Sequence, residues 1–152
     1  MLQLTLSLAT ICTGLIAGLF FAFSVAVMPG LRRVDDAAFV GSMVAINRAI
    51  QNPLFALIFF GAFLFPALAL LLDLSGPQVA ALPLGLGFAL YSVALGITFA
   101  VNIPLNAKLE RGGGDHSLRR GFEARWVRWN TVRTVLCATA FLALVVSLTA
   151  AA

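Results

Sequence analysis

Trp126-Val127-Arg128-Trp129-Asn130-Thr131-Val132-Arg133 joins the most basic segment of the chain to its last long apolar run. At helical spacing Trp126, Asn130 and Arg133 share one face, with Trp129 beside them. Two indoles, an amide and a guanidinium therefore stand where water gives way to lipid. A polar face on an apolar helix must find its partners on other segments.

The rest of the chain explains why lipid is the surrounding. Of 152 residues, 61% are hydrophobic and only 11% charged, with a mean hydropathy of +1.02. A soluble domain carries roughly 25% charged residues, and one this small has too much surface for its volume to hide so many apolar side chains. All ten Lys and Arg residues fall within Arg32–Arg48 and Lys108–Arg133. By the positive-inside rule these windows face the cytoplasm. The basic pI fits such loops, and no aromatic-basic motif points to nucleic acid.

Four apolar runs predict four membrane spans, approximately 4–29, 54–72, 79–101 and 129–150, in one domain with cytoplasmic segments 30–53 and 102–128. Both termini then lie outside the plasma membrane, the inner membrane of a cell with two. The first run exceeds the core of a signal peptide and no Lys or Arg precedes it, so it is expected to be retained. Its Gly14, Gly18, Ala22 and Ala26 form a small-residue stripe suited to close helix packing, which would also allow a homo-oligomer. Pro29-Gly30 is expected to stop this helix. Asp35 or Asp36 predicts an N-cap for a short interfacial helix, with Phe39, Met43, Ile46 and Ile50 at three- and four-residue steps. Pro53 fits the first turn of the second span. The expected fold is all-α: an integral membrane four-helix bundle with a short amphipathic helix between the first two spans.

Side-chain amides gather at one level. Asn47 and Gln51 close the interfacial helix, Asn102 and Asn106 end the third span, and Asn130 begins the fourth. Arg133 lies about a turn deeper, where a charge is costly unless paired. The partners open to it are amide oxygens of Asn102 or Asn47, carbonyls freed near Pro29 and Pro104, or the carboxylates of Asp36 and Glu123. The candidate ligand-binding set is Asn47, Asn102, Asn106, Trp126, Trp129, Asn130 and Arg133. The plainer alternative makes Trp126 and Trp129 interfacial anchors and lets Arg133 snorkel to phosphates. No metal is expected, since His116 is the single histidine and the carboxylates are scattered. Cys12 and Cys137 lie in apolar runs without paired-ligand spacing and are expected to stay free.

Phe23-Ser24 with Met28-Pro29-Gly30-Leu31, Met43 with Ile46-Asn47, Asn102-Ile103-Pro104-Leu105-Asn106 and Trp126–Arg133 together resemble the anthrone oxygenase-like membrane family. Most of its members are known only as a domain of unknown function. The resemblance implies a four-helix membrane protein. In a minority of members it implies oxidation of an anthrone to an anthraquinone by molecular oxygen, with no known metal or flavin, hence no cofactor. Under that implication Asn102, Asn130 and Arg133 are the candidate catalytic donors to an enolate oxygen, Trp126 and Trp129 stack on a flat substrate, and His116 and Glu123 are the nearest bases. The competing expectation is a non-catalytic membrane module that binds a lipid or quinone-like ligand or supports a partner protein.

Overall fold

The computed structural model describes residues 1–74, 81–112, 115 and 117–151. Residues 75–80, which hold the expected start of the third span, and Gly113, Gly114, His116 and Ala152 lie outside the described residues. All regular structure among the described residues is helical. Four helical stretches are long and apolar enough to cross a membrane: Leu2–Leu31, Pro53–Asp73, Ala81–Arg111 and Leu118–Ala150.

The first stretch consists of α1 (Leu2–Ala22), a π-turn (Phe23–Val27) and α2 (Met28–Leu31). Pro29-Gly30 does not stop it, contrary to the sequence expectation. A proline cannot donate to the carbonyl four residues back, and its ring crowds that carbonyl. The chain meets this by widening one turn just upstream, so that Met28 N–H donates to the Phe23 carbonyl five residues back. The same device recurs in the third stretch. There α5 (Ala81–Ile97) passes into a π-turn (Thr98–Asn102) and then α6 (Ile103–Arg111), and Ile103 N–H donates to the Thr98 carbonyl. Each π-turn ends two residues before its proline, Pro29 or Pro104.

Between these lie α3 (Asp36–Ala49) and α4 (Pro53–Leu74). Asp35 is the N-cap, its Oδ1 accepting from Ala38 N–H at 2.8 Å. Asn52 caps α4 the same way, accepting from Phe55 N–H at 2.9 Å. Pro66 sits within α4 without ending it. The last helix, α7 (Leu118–Ala150), is 33 residues and about 50 Å long, against a hydrocarbon core of about 30 Å. Its first turns therefore extend past the apolar zone and carry the polar face.

Helix α1 packs on α4 and α7, and α5 packs on the same two. The small-residue stripe is only partly used. A Cβ at Gly14 would lie 2.9 Å from the Phe141 ring of α7, whereas Gly18 faces open space. A less yielding contact is made at Gly87, where a Cβ would meet Leu144 Cγ at 3.0 Å and the Ala140 backbone carbonyl at 3.2 Å. Cys12 and Cys137 are free and join one central cluster with Ile16, Phe20, Phe59 and Tyr91. Outward positions carry Leu57, Leu64, Leu71, Val135 and Leu142, the surface expected of helices solvated by lipid.

At the basic end, α3 lies across the helices on Phe39, Val40 and Met43, which meet Leu109, Phe122 and Trp126. Arg119 fastens this end. It donates to Asp36 Oδ1 at 3.0 Å and Glu123 Oε2 at 2.9 Å, and to the carbonyls of Leu31, Arg32 and Val34. Those carbonyls lie at and just beyond the end of the first helical stretch, where intrahelical donors run out. Arg32 adds a second pair to Glu123 at 2.8 Å.

Candidate functional site

Both π-turns bring their residues to one place, the junction of α1, α3, α5/α6 and α7. A cavity of about 470 Å³ opens there, within the range of small-molecule sites, roughly 300–1,000 Å³. Its walls are aromatic on two sides. Phe20, Phe23 and Trp126 form one wall, with the Phe23 and Trp126 rings 5.5 Å apart. Phe55 and Phe59 form the other, stacked at 5.3 Å and 21°. Polar groups fill the seam between them: Asn47 and Gln51 from α3, Thr98, Asn102 and Asn106 from the third stretch, Asn130 and Arg133 from α7.

Arg133 is 4% exposed. Its Nη1 donates to Thr98 Oγ1 at 3.0 Å and its Nη2 to Asn130 Oδ1 at 2.9 Å. The guanidinium carbon lies 4.1 Å from the centroid of the Phe20 ring, a cation–π contact strengthened by burial. None of the partners foreseen for Arg133 is the one it has. Asp36 and Glu123 belong to the Arg119 network, and Asn47 and Asn102 do not accept from it. The reason is reach: the π-turn at Thr98–Asn102 rotates Thr98 inward, one turn deeper than Asn102, to the level of the guanidinium.

Asn130 is the hub beneath Arg133. Its Nδ2 donates to the Phe20 carbonyl at 3.0 Å and to Ser24 Oγ at 2.9 Å, just where the first π-turn disturbs the backbone ladder of α1. Ser24 also pairs with Thr134 Oγ1 at 3.0 Å. With Oδ1 accepting from Arg133, Asn130 has its amide directed at the protein and positions the guanidinium. The expectation that it donates to a ligand does not match this geometry.

Asn102 is the converse. It is 1% exposed, and neither Oδ1 nor Nδ2 has a hydrogen-bond partner among the described residues. Arg133 Nε and Asn47 Nδ2 are likewise buried without partners. Buried polar atoms are nearly always paired, and these four atoms belong to three residues lining one cavity. Trp126 Nε1–H donates to Asn106 Oδ1 at 2.8 Å, which fixes the indole as a wall.

Six of the seven sequence-derived ligand-binding positions therefore line the cavity: Asn47, Asn102, Asn106, Trp126, Asn130 and Arg133. Trp129 is not among the lining residues. It is half-buried, with the Arg128 guanidinium 5.5 Å from its ring. Of the two proposed bases, His116 lies outside the described residues, and Glu123 is held by Arg32 and Arg119 away from the cavity wall. The carboxylate on the wall is Glu110, at the mouth, where Arg48 Nε donates to its Oε1 at 2.7 Å. Sequence reasoning passed over Glu110, Phe20, Phe55 and Phe59. For Glu110 a signal existed, since it follows Asn102 and Asn106 at four-residue steps on one helical face. Among the described residues no group of His, Cys, Asp and Glu could hold a metal ion.

A family model described as anthrone oxygenase matches residues 42–143, about two thirds of the chain. The matched region contains Asn47, Asn102, Glu110, Trp126, Asn130 and Arg133, while Phe20 and Ser24 lie outside it. No curated protein and no solved structure matches the chain.

Proposed function

The chain belongs to the anthrone oxygenase family, and on that footing we propose that it oxidises a flat, apolar, anthrone-like substrate with molecular oxygen in the cavity above Arg133. The observation carrying this reading is that one aromatic-walled cavity is lined both by a buried guanidinium and by the Asn102 amide, which has no partner among the described residues. An anthrone has an acidic methylene opposite a carbonyl. Removing a methylene proton places negative charge on the carbonyl oxygen, where Arg133 Nε and Asn102 Nδ2 would donate to it. Donors preorganised in a dry site lower the barrier to forming such a charge. The Phe20–Trp126 and Phe55–Phe59 walls would hold the rings.

Glu110, a carboxylate on the wall that Arg48 orients, would receive the proton at the mouth by way of water entering the cavity. It stands about 12 Å along the helix from Asn102, so the proton leaves toward water. The carbanion then gives its electrons to oxygen. A carbon–oxygen bond forms at the methylene carbon, the second methylene hydrogen is lost as a proton, and the O–O bond breaks. One anthrone and one O2 become one anthraquinone and one water. We place the basic end, and so the mouth, on the cytoplasmic side.

Oxygen uptake tests this reading. Purified protein in detergent, given an anthrone, should consume one O2 per anthraquinone formed, faster than protein-free micelles. Arg133→Leu should lower the enzymatic rate by about 10²–10³, the usual cost of an oxyanion donor, while Trp129→Ala should leave it unchanged. Equal rates for wild type and Arg133→Leu would sink the reading. A second reading, a module that holds a quinone-like ligand without turnover, is favoured by one fact: Glu110 is already engaged by Arg48 at the mouth, so that no uncommitted carboxylate among the described residues stands on the cavity wall to take a proton.

A further inference from the structure

Arg133 has no counter-ion among the described residues. It donates to a hydroxyl and an amide oxygen and rests on an aromatic face. The carboxylates at this end are committed elsewhere, Glu123 to Arg32 and Arg119, Asp36 to Arg119, and Glu110 to Arg48. A cation held in an apolar surrounding is costly unless an anion joins it. Arg133 Nε and both amide atoms of Asn102, which lines the same cavity, are buried without partners among the described residues. Two of these are donors and one is an acceptor.

We propose that the cavity is a receptor for flat aromatic oxyanions, that is, for phenols and enols which it takes up neutral from the bilayer and holds ionised. This rests on the reading of the cavity as a site for flat aromatic molecules and extends it to a ligand class that needs no oxidisable methylene. On binding, the ligand O–H bond breaks, its electron pair stays on oxygen between Arg133 Nε and Asn102 Nδ2, and the proton passes through the mouth to buffer. Nothing is oxidised. Simple aryl oxides are then competitive inhibitors of any turnover at the site, and ligands of the same shape without an acidic proton bind poorly.

The ionisable groups around the cavity do not offer Arg133 another anion. On α7, Cys137 is buried one turn beyond Arg133, and on α1, Cys12 is buried in the same cluster. On α5, the Tyr91 hydroxyl donates to the Phe59 carbonyl at 2.8 Å. On α6 and α3, Glu110 and Arg48 satisfy each other at the mouth.

The test uses 2-naphthol, which is neutral in water at pH 7 and has no methylene to oxidise, with purified full-length protein in detergent. The naphtholate absorption band should appear at pH 7 on binding, which needs the ionisation constant raised about 1,000-fold over that in empty micelles, the upper end of what an opposite charge in contact gives. Arg133→Leu should abolish the band, and Asn102→Leu should reduce the shift. A comparison needing no variant is 2-methoxynaphthalene, which should bind the wild-type protein at least about tenfold more weakly. The proposal is overturned if the naphthol binds as its neutral form, if the methyl ether binds as tightly, or if the band survives in Arg133→Leu. Oxygen uptake and naphthol ionisation are read separately. Ionised naphthol without anthrone oxidation would remove the enzyme reading alone, and oxidation without ionised naphthol would remove this one.

Discussion

Replacing Asn102 by leucine should make the protein more stable and less functional at once. Asn102 makes no side-chain hydrogen bond within the fold, yet both its polar atoms are buried. Burying an unpaired amide costs roughly 1–3 kcal/mol in protein mutational data. Leucine matches its size, loses no contact of value and removes that cost. The free space beside the side chain lets part of the amide relax, so the gain should sit at the low end, about 1 kcal/mol. Asn130→Leu, at an equally buried position, gives the opposite sign. It deletes bonds to Phe20 O, Ser24 Oγ and Arg133 Nη2. Interhelical bonds in membranes average about 0.6 kcal/mol each, and the orphaned guanidinium adds a charged-group penalty, for a total loss of about 2–4 kcal/mol. Reversible unfolding in mixed micelles of increasing denaturing detergent measures both. If Asn102→Leu is destabilised as much as Asn130→Leu, Asn102 has a structural role and its assignment as a ligand-facing amide fails.

Two further outcomes check the scaffold around the site. Arg119→Ala should destabilise the basic end by about 2 kcal/mol, because two carboxylates and three carbonyls of Leu31–Val34 lose a common donor; faster amide hydrogen exchange over Leu31–Ala38 than over the middle of α7 would mark the loss as local. Gly87→Val should cost more than Gly14→Ala, since the first drives a branched side chain against Leu144 and the rigid Ala140 carbonyl and the second meets only the edge of a movable Phe141 ring. Thermal unfolding of both variants in the same detergent decides the order.

The π-turns show how backbone chemistry reaches the site. Each proline removes one donor and obstructs one carbonyl, and the ladder shifts by a residue to accommodate it. The shift next to Phe23 leaves the Phe20 carbonyl within reach of Asn130, and the shift at Thr98–Asn102 goes with Thr98 reaching Arg133 and Asn102 lining the cavity. Two residues that distort helices thereby help place three that line the cavity.

The chain's own order of residues determined that there are four long apolar helices, that all ten basic residues lie at one end, and that Asn47, Asn102, Asn106 and Asn130 share a level with Arg133. Run length, charge placement and the 3.6-residue period carry that much, because each is a property of one segment. Which face of a helix meets lipid and which meets another helix is a different matter, since both surroundings are apolar and hydropathy does not distinguish them. Trp126 and Trp129 therefore looked alike in sequence, and only packing put the first against Phe23 and the second outside the cavity. The same holds for the amides. Asn130 and Asn102 are the same residue type at the same level, but α1 comes close enough to saturate one and nothing in the fold reaches the other. Hydrogen-bond saturation depends on how several helices are set along one another to within an ångström, and that register is a property of the assembled tertiary structure.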